Sequence, residues 1–313
     1  MKYLITGGAG FIGSQLADHL LEKDHEVFVI DNLSWGRREF VKHNLKSKKF
    51  HFIKLDMLNS KKLEAQFPKG IDTVFHLAAN SDIARGAEDP DIDFKNTTTI
   101  TFNLLQAMRQ KKIKKIFFTS GSGVYGDVGK TLTSETFGPL LPISMYGATK
   151  LSAEGMISAF VNLFDMQAFI LRPANIIGPR ATHGVIFDFI NRLKENPKKL
   201  TVSGDGSQSK SYLYVADVIE AIDLVHQKSQ NPVNLYNISS DSFITVKEIA
   251  QMVITEMGLK KAQIVYTGGS RGWKGDVPIV RIDNSKIEKL GWKSQHTSYE
   301  AVRKTIRLLL KKI

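Results

Sequence analysis

A short apolar run followed by glycines at regular intervals opens the chain. Tyr3, Leu4 and Ile5 read as a brief strand, and Gly7, Gly10 and Gly13 follow at G-x-x-G-x-x-G spacing. From Ser14 to Glu22, Leu16, Ala17, Leu20 and Leu21 recur on one helical face. Strand, glycine turn and helix together make a phosphate cradle. The glycines let the backbone turn tightly and approach a pyrophosphate, and the helix start presents N–H groups and a partial positive charge to it. A second strand, Glu26-Val-Phe-Val-Ile30, ends in Asp31. A carboxylate there accepts both hydroxyls of an adenosine ribose and repels a 2′-phosphate, so the expected cofactor is NAD rather than NADP, with Arg37 and Arg38 the residues that argue the other way.

Strand and helix signals keep alternating, as in an α/β fold with a Rossmann-type doubly wound parallel sheet. Phe50–Leu55 is a third strand, ending at Asp56-Met57, a polar–apolar pair suited to flank an adenine. Thr73–Leu77 is a fourth, and Ala78-Ala79 at its end leave room for a cofactor close to the backbone. A helix from Asn96 to Gln110, a strand Ile116–Thr119 and a helix from Tyr146 to Phe164 follow, then a strand Gln167–Leu171. The Tyr146–Phe164 helix is apolar over more than one buried face requires, which fits core packing and pairing with a second subunit equally.

After Arg172-Pro173 the alternation fails and glycine, proline and charge become frequent, the signature of a smaller C-terminal α/β lobe. The sheet domain takes back a helix near Val218–His226 and a strand Val233–Ile238. The expected division is 1–172 plus about 216–238 for the NAD-binding domain, and 173–215 plus 239–313 for the substrate lobe. Thr245-Val-Lys-Glu248 is a capping box that opens a helix to about Met257, and Ser298–Leu310 is a final amphipathic helix expected to pack on the lobe.

A chain of 313 residues has ample core for two such units. It contains no cysteine, which excludes disulfides, thiolate metal sites and cysteine nucleophiles and fits a cytoplasmic protein. No apolar stretch reaches membrane-span length, and residues 2–30 read as a folded unit rather than a cleavable leader. The formal charge is +12, but the lysines are scattered and do not interleave with aromatics as a base-stacking surface would. The basic field therefore suits anionic small molecules, not nucleic acid or membrane.

The chemistry concentrates in Tyr146-Gly-Ala-Thr-Lys150. Positions i and i+4 share a helical face. An ammonium beside a phenol favours the phenolate, and a phenolate can take a proton from a sugar hydroxyl while hydride leaves the same carbon. No metal site is expected.

These motifs resemble the extended short-chain dehydrogenase/reductase family, specifically the NAD-dependent nucleotide-sugar epimerases and dehydratases, and most of all UDP-glucose 4-epimerases. The resemblance is carried by Thr6–Gly13, Asp31-Asn32, Asp56, His76–Ala79, Asn96, Val124-Tyr-Gly126, Tyr146–Lys150, Arg172–Asn175, Gly178-Pro-Arg180, Gly204-Asp-Gly206, Tyr214–Asp217 and Gly275-Asp276. It implies a held NAD that is transiently reduced while the sugar passes through a 4-keto form. It also implies cofactor contacts from Phe11 and Ile12 in the glycine loop, from Asn32 and Leu77, and from Asn96 and Pro173. Tyr146 would be the general acid/base, and Lys150 would bind the nicotinamide ribose and lower the tyrosine pKa. Asn175 would meet the substrate near its diphosphate, with Lys210 in the place of the family's usual arginine and Arg271 as a second cation. A homodimer through the Asn96–Gln110 and Tyr146–Phe164 helices is implied as well.

Departures from the family pattern narrow the chemistry. The resemblance implies an acidic pair before Val-Tyr-Gly in dehydratases, whereas Ser122 and Gly123 stand there; decarboxylases would carry a glutamate at Gly123. The family's catalytic Ser or Thr falls on Gly121. Ser122 is the expected substitute, since flanking glycines let it turn in, and Ser120 is expected to be spent on backbone hydrogen bonds. The expected activity is C4 epimerisation of a UDP-hexose. The alternatives are a nucleotide-sugar 4-ketoreductase, another sugar epimerase, or a non-catalytic NAD-binding relative.

Overall fold

The computed structural model describes residues 1–80 and 82–311. In chain order the first half runs β1 (Lys2–Thr6), α1 (Phe11–Glu22), β2 (Glu26–Asp31), β3 (Phe50–Lys54), α2 (Ser60–Gln66), β4 (Thr73–His76), α3 (Ile83–Glu88), α4 (Pro90–Asp93), α5 (Ile100–Gln110), β5 (Lys115–Thr119), α6 (Met145–Phe164) and β6 (Gln167–Pro173). These strands and Val233–Ile238 form one seven-stranded sheet, ordered Val233–Ile238, β6, β5, β4, β1, β2, β3. Leu4 and Ile5 of β1 are fully buried, as are Val74 of β4 and Ile116, Phe117 and Phe118 of β5. Strands covered on both faces read as continuous apolar runs, the reason these segments are legible as parallel strands.

Order reverses at β1. It pairs with β2 from Lys2↔Glu26 to Thr6↔Ile30, and on its other side with β4 from Tyr3↔Thr73 to Thr6↔His76. The carboxyl ends of β1 and β4 thus form the switch point where open α/β sheets bind ligands.

The chain divides into two compact units. The first is Met1–Val124, Met145–Arg172 and Ile222–Tyr236; the second is Tyr125–Ser144, Pro173–Ala221 and the chain from Asn237 onward. Residues 216–221 and 237–238 fall in the second unit rather than the first, and so, against the expected division, does Tyr125–Ser144. Thr133 explains the last of these, because its N–H donates to Arg281 O (3.0 Å) and its carbonyl accepts from Asn237 Nδ2 (2.9 Å). Such long-range pairing leaves no local signal in composition.

Within the first unit the core joins Leu4, Val74, Ile116 and Ile170 of the sheet to Leu104, Met108, Ile157 and Phe160 of α5 and α6. The second unit has its own core. Ile186, Phe189 and Ile190 of the helix Val185–Glu195 pack with Ile249 and Val253 of Val246–Glu256 and with Val302 and Ile306 of Ser298–Leu310. The Thr245 capping box forms as the sequence predicts, Glu248 N donating to Thr245 Oγ1 and Thr245 N to Glu248 Oε2. Among the described residues no helix is long and apolar enough to cross a membrane.

Two helices start elsewhere than predicted. α1 begins at Phe11, directly after Gly10, rather than at Ser14. The segment read as one helix from Asn96 opens with a π-helical stretch, Phe94–Thr99, and becomes α-helical only at Ile100. A π-turn inserts a residue and rotates the side chains before it, which apolar periodicity cannot reveal.

Candidate active site

The glycine loop is built for close approach. Gly7 has φ +69°, and a Cβ there would stand 2.8 Å from Ala78 Cα. A Cβ on Gly13 would lie 2.4 Å from Gly7 O, and one on Gly10 3.1 Å from it. No side chain caps α1, so its first turn at Phe11 and Ile12 keeps backbone N–H groups for an anion. This is the cradle that a dinucleotide pyrophosphate requires.

Asp31 ends β2 beside this loop. Its Oδ2 accepts from Ala9 N (2.9 Å) and its Oδ1 from Leu33 N (2.8 Å). Burial pushes the carboxyl up, while these two hydrogen bonds pull it back. The loop 32–36 curls over it so closely that a Cβ on Gly36 would lie 2.7 Å from either oxygen. The carboxylate is therefore fixed at the strand end, as ribose recognition needs. Asn32 Nδ2 reaches Asp56 Oδ2 (3.2 Å), joining the ends of β2 and β3. Met57, expected to flank an adenine, is buried against the core of the first unit. Leu77 follows β4 with its N–H on Thr6 O (3.2 Å), and Leu77, Ala78 and Ala79 stay half-exposed.

Tyr146 and Lys150 lie one turn apart on α6, and Glu154 continues the row. Lys150 is buried, donates Nζ to Thr119 O (2.7 Å), and sits 5.7 Å from the Tyr146 ring centroid. Burial lowers the Lys150 pKa to about 8, against the raising influence of Glu154 and Asp93. The Tyr146 side chain is half-buried by surface, and desolvation of its phenol, with Asp93 adding to it, raises the pKa to about 12. This corrects the expectation of a lowered tyrosine: in the protein by itself desolvation and the Asp93 charge set the direction.

Gly121 faces the phenol. A Cβ there would stand 3.5 Å from Tyr146 Oη in ordinary contact, and a Cβ on Gly123 would stand 3.7 Å from Tyr146 Cδ1. Ser122 opens a 3₁₀ turn to Tyr125 and is half-buried. Ser120 departs from its expectation: its backbone N–H bonds Leu171 O (2.8 Å), but its buried hydroxyl has no partner. Thr119 and Thr97 carry buried, unpartnered hydroxyls too. Each such group costs about 1–3 kcal/mol, so their gathering on the elements around Lys150 suits a polar ligand.

Beneath them His76 is fully buried between two threonines. Thr101 Oγ1 gives its proton to Thr97 O (2.6 Å), so it accepts from His76 Nε2 (2.9 Å), and Thr6 Oγ1 donates to His76 Nδ1 (2.7 Å). Burial, with Lys150 adding to it, lowers the His76 pKa to about 3, so this is a neutral structural strut tying β1, β4 and α5. Asn96 is engaged elsewhere than expected, its Nδ2 on Ile92 O (2.9 Å), while its neighbour Thr97 is the residue with a buried hydroxyl to offer.

In the second unit, Lys210 and Arg271 converge as a pair. Lys210 Nζ meets Asp276 Oδ1 (2.6 Å), and Arg271 donates Nη1 to Asp276 O (2.6 Å) and Nη2 to Asp127 Oδ2 (2.6 Å). Asn175 pairs in register with Tyr212, whose phenol it hydrogen-bonds, although burial still drives that phenol's pKa up. Pro173 is buried at the end of β6, where the second unit begins.

Sequence reasoning missed Glu154 and Asp93. Glu154 takes Arg172 in a buried bidentate pair, Nε–Oε1 2.9 Å and Nη2–Oε2 2.6 Å. Its four-residue spacing from Lys150 was the available signal. Asp93 had none, because it lies before the π-turn.

Comparison with known proteins agrees with this geometry. Residues 3–239 match the NAD dependent epimerase/dehydratase family. A UDP-glucose 4-epimerase of Mycolicibacterium smegmatis is 31% identical over 323 residues, covering 100% of this chain and 99% of that protein. A solved UDP-galactose 4-epimerase is 38% identical with a TM-score of 0.89, covering 100% of both chains. The UDP-glucose 4-epimerase of Thermus thermophilus, solved in complex with NAD, is 31% identical with a TM-score of 0.87, again over 100% of both chains. The chain belongs to the NAD dependent epimerase/dehydratase family and is an NAD-dependent enzyme of nucleotide-sugar modification.

Proposed function

We propose that the protein inverts C4 of a UDP-hexose, interconverting the glucose and galactose configurations. The observation that carries this reading is the loop facing Tyr146. Gly121 and Gly123 face the phenol, and residues 120–123 carry two hydroxyls and no carboxylate. Elimination of water needs an added acid and base at that place, whereas epimerisation needs one proton carrier used in both directions. The similar proteins named above as UDP-glucose and UDP-galactose 4-epimerases support the same substrate class.

In this reading Tyr146 takes the O4 proton and later returns it. Lys150 holds the nicotinamide ribose and offers positive charge to the phenolate, and Ser122 shares the proton path that Gly121 cannot. Bound NAD supplies hydride acceptance and return at C4. Asn175, Lys210 and Arg271 bind the diphosphate, for which Lys210 and Arg271 exchange their carboxylate partners.

The second copy in a homodimer would cover α5 and α6, where Phe102 and Leu163 are 44% and 71% exposed. The deciding experiment incubates the purified protein, without added NAD, with UDP-glucose, UDP-galactose and their N-acetyl forms, and follows product by chromatography. Conversion in both directions is expected. Loss of water from the sugar, or turnover only with added reduced cofactor, would discard the epimerase reading in favour of a dehydratase or a ketoreductase.

A further inference from the structure

Asp93 is a fully buried carboxylate at the last position of α4. Its Oδ1 accepts from Asn80 Nδ2 (2.8 Å), which ties α4 to the end of β4, and its Oδ2 has no hydrogen-bond partner among the described residues. The space for that second oxygen comes from Gly86 on α3. A Cβ at Gly86 would lie 2.0 Å from Oδ2, so any side chain there would displace the carboxylate. Glycine inside a helix costs about 1 kcal/mol relative to alanine, and an unsatisfied buried oxygen costs about 1–3 kcal/mol. Both costs fall on keeping a carboxylate at this one point.

The charge balance of the first unit shows its counterpart. Among the described residues, the buried acids of this unit are Asp31, Asp93 and Glu154, and the buried cations are Lys150 and Arg172. Asp31 is held by backbone N–H groups in the glycine loop, and Glu154 is paired with Arg172. That leaves Asp93 and Lys150. α3, α4 and the π-turn Phe94–Thr99 all pack on α6, and Asp93 acts electrostatically on both Lys150 and Tyr146. Other ionisable groups bearing on these residues are His76 on β4, which is neutral, Glu154 on α6, and Asp82 before α3, which acts on Asp93 itself. Arg85, Glu88, Asp91 and Lys95 on the same elements are solvent-exposed.

We propose that Asp93 is a positioning residue of the reaction, the buried counter-charge that keeps Lys150 an ammonium and makes the Tyr146 phenolate the stronger base. The negative charge acts on the two groups in one sense, making each hold its proton more firmly. Lys150 thereby stays cationic for the cofactor ribose despite its burial. The phenolate becomes a stronger base for the sugar hydroxyl, at the expense of the phenol's acidity when the proton is returned.

The proposal rests on reading Tyr146 and Lys150 as the reactive pair, and the titration arm of its test needs no sugar substrate. Asp93→Asn keeps an acceptor for Asn80 and the shape of the side chain while removing the charge. Phenolate absorbance reports Tyr146, with Tyr146→Phe as the blank, and carbon NMR of ε-labelled lysine reports Lys150. Both titrations are expected to move to lower pH by about one unit, and both limbs of the kcat profile should move with them. A purely structural lesion would lower kcat without displacing the profile. Should Asp93→Asn fail to fold, Asn80→Ala carries the test. It removes the donor on Oδ1 that ties Asp93 to the end of β4, loosening the carboxylate from its place beside α6, and should shift both titrations the same way by less. Unmoved titrations in a folded variant overturn the proposal even if the enzyme is a 4-epimerase. Shifted titrations in a protein inactive on UDP-hexoses would sustain it and discard only the substrate.

Discussion

A Cβ on Gly121 would stand 3.5 Å from Tyr146 Oη, in contact without overlap. The missing hydroxyl of this site is thus a missing side chain, not a displaced loop, and a serine restores it without moving backbone. Gly121→Ser is expected to be tolerated and to rescue turnover in Ser122→Ala. Ser122→Ala alone should lower kcat by about 10²-fold, the low end for a group in proton transfer. A loss of that size in Ser120→Ala, with Ser122→Ala unaffected, would reassign the hydroxyl to the buried serine.

Tyr146→Phe should retain NAD, released by acid extraction in near-stoichiometric amount, while kcat falls about 10²–10⁴-fold. In the proposed reading the glycine loop and Asp31 would hold the cofactor without the phenol oxygen. Wild-type turnover in this variant would remove Tyr146 from the chemistry.

Lys150 has its pKa lowered to about 8 by burial, so it loses its charge as pH rises through that value. NAD affinity, measured by calorimetry on protein stripped of cofactor, should weaken over this range. Binding should also be accompanied by proton uptake there. Lys150→Ala should bind weakly at every pH with no such dependence.

His76 contributes stability that depends on pH. Its folded pKa of about 3 lies below the unfolded value of 6.5, so the unfolded chain takes up the proton first. The contribution is complete above 6.5 and is lost as pH falls from there toward 3. At about 1.36 kcal/mol per pH unit, urea unfolding should show a loss of about 2 kcal/mol from this residue by about pH 5. His226, lowered chiefly by burial, adds in the same sense, while Asp31 and Asp93, raised by burial, oppose it nearer their own range. His76→Gln should flatten the slope, and an unchanged slope would exclude His76 as its source.

Leu163 and Phe102 offer apolar surface on α6 and α5. Light scattering should give a dimeric mass at micromolar concentration, and Leu163→Glu with Phe102→Glu should give a folded monomer. A monomeric wild-type protein would reject the dimer.

What could be read from the chain alone followed from local rules. The glycine spacing, Asp31 and the apolar runs of β1, β4 and β5 each reflect a constraint within a few residues, and so did the four-residue step from Tyr146 to Lys150. Those rules were enough for the parallel sheet and the cofactor class, and they put Tyr146 and Lys150 one turn apart on α6. They could not assign Tyr125–Ser144 to the second unit, because its bonds run to Asn237 and Arg281. They could not show that Tyr146 is pushed up rather than down, since desolvation depends on everything packed around the phenol. Nor could they find Asp93. Its burial, its contact with Gly86 and its unpartnered oxygen arise only once α3, α4 and the π-turn close on α6, and the electrostatic cost of a buried charge is set by the tertiary packing around it.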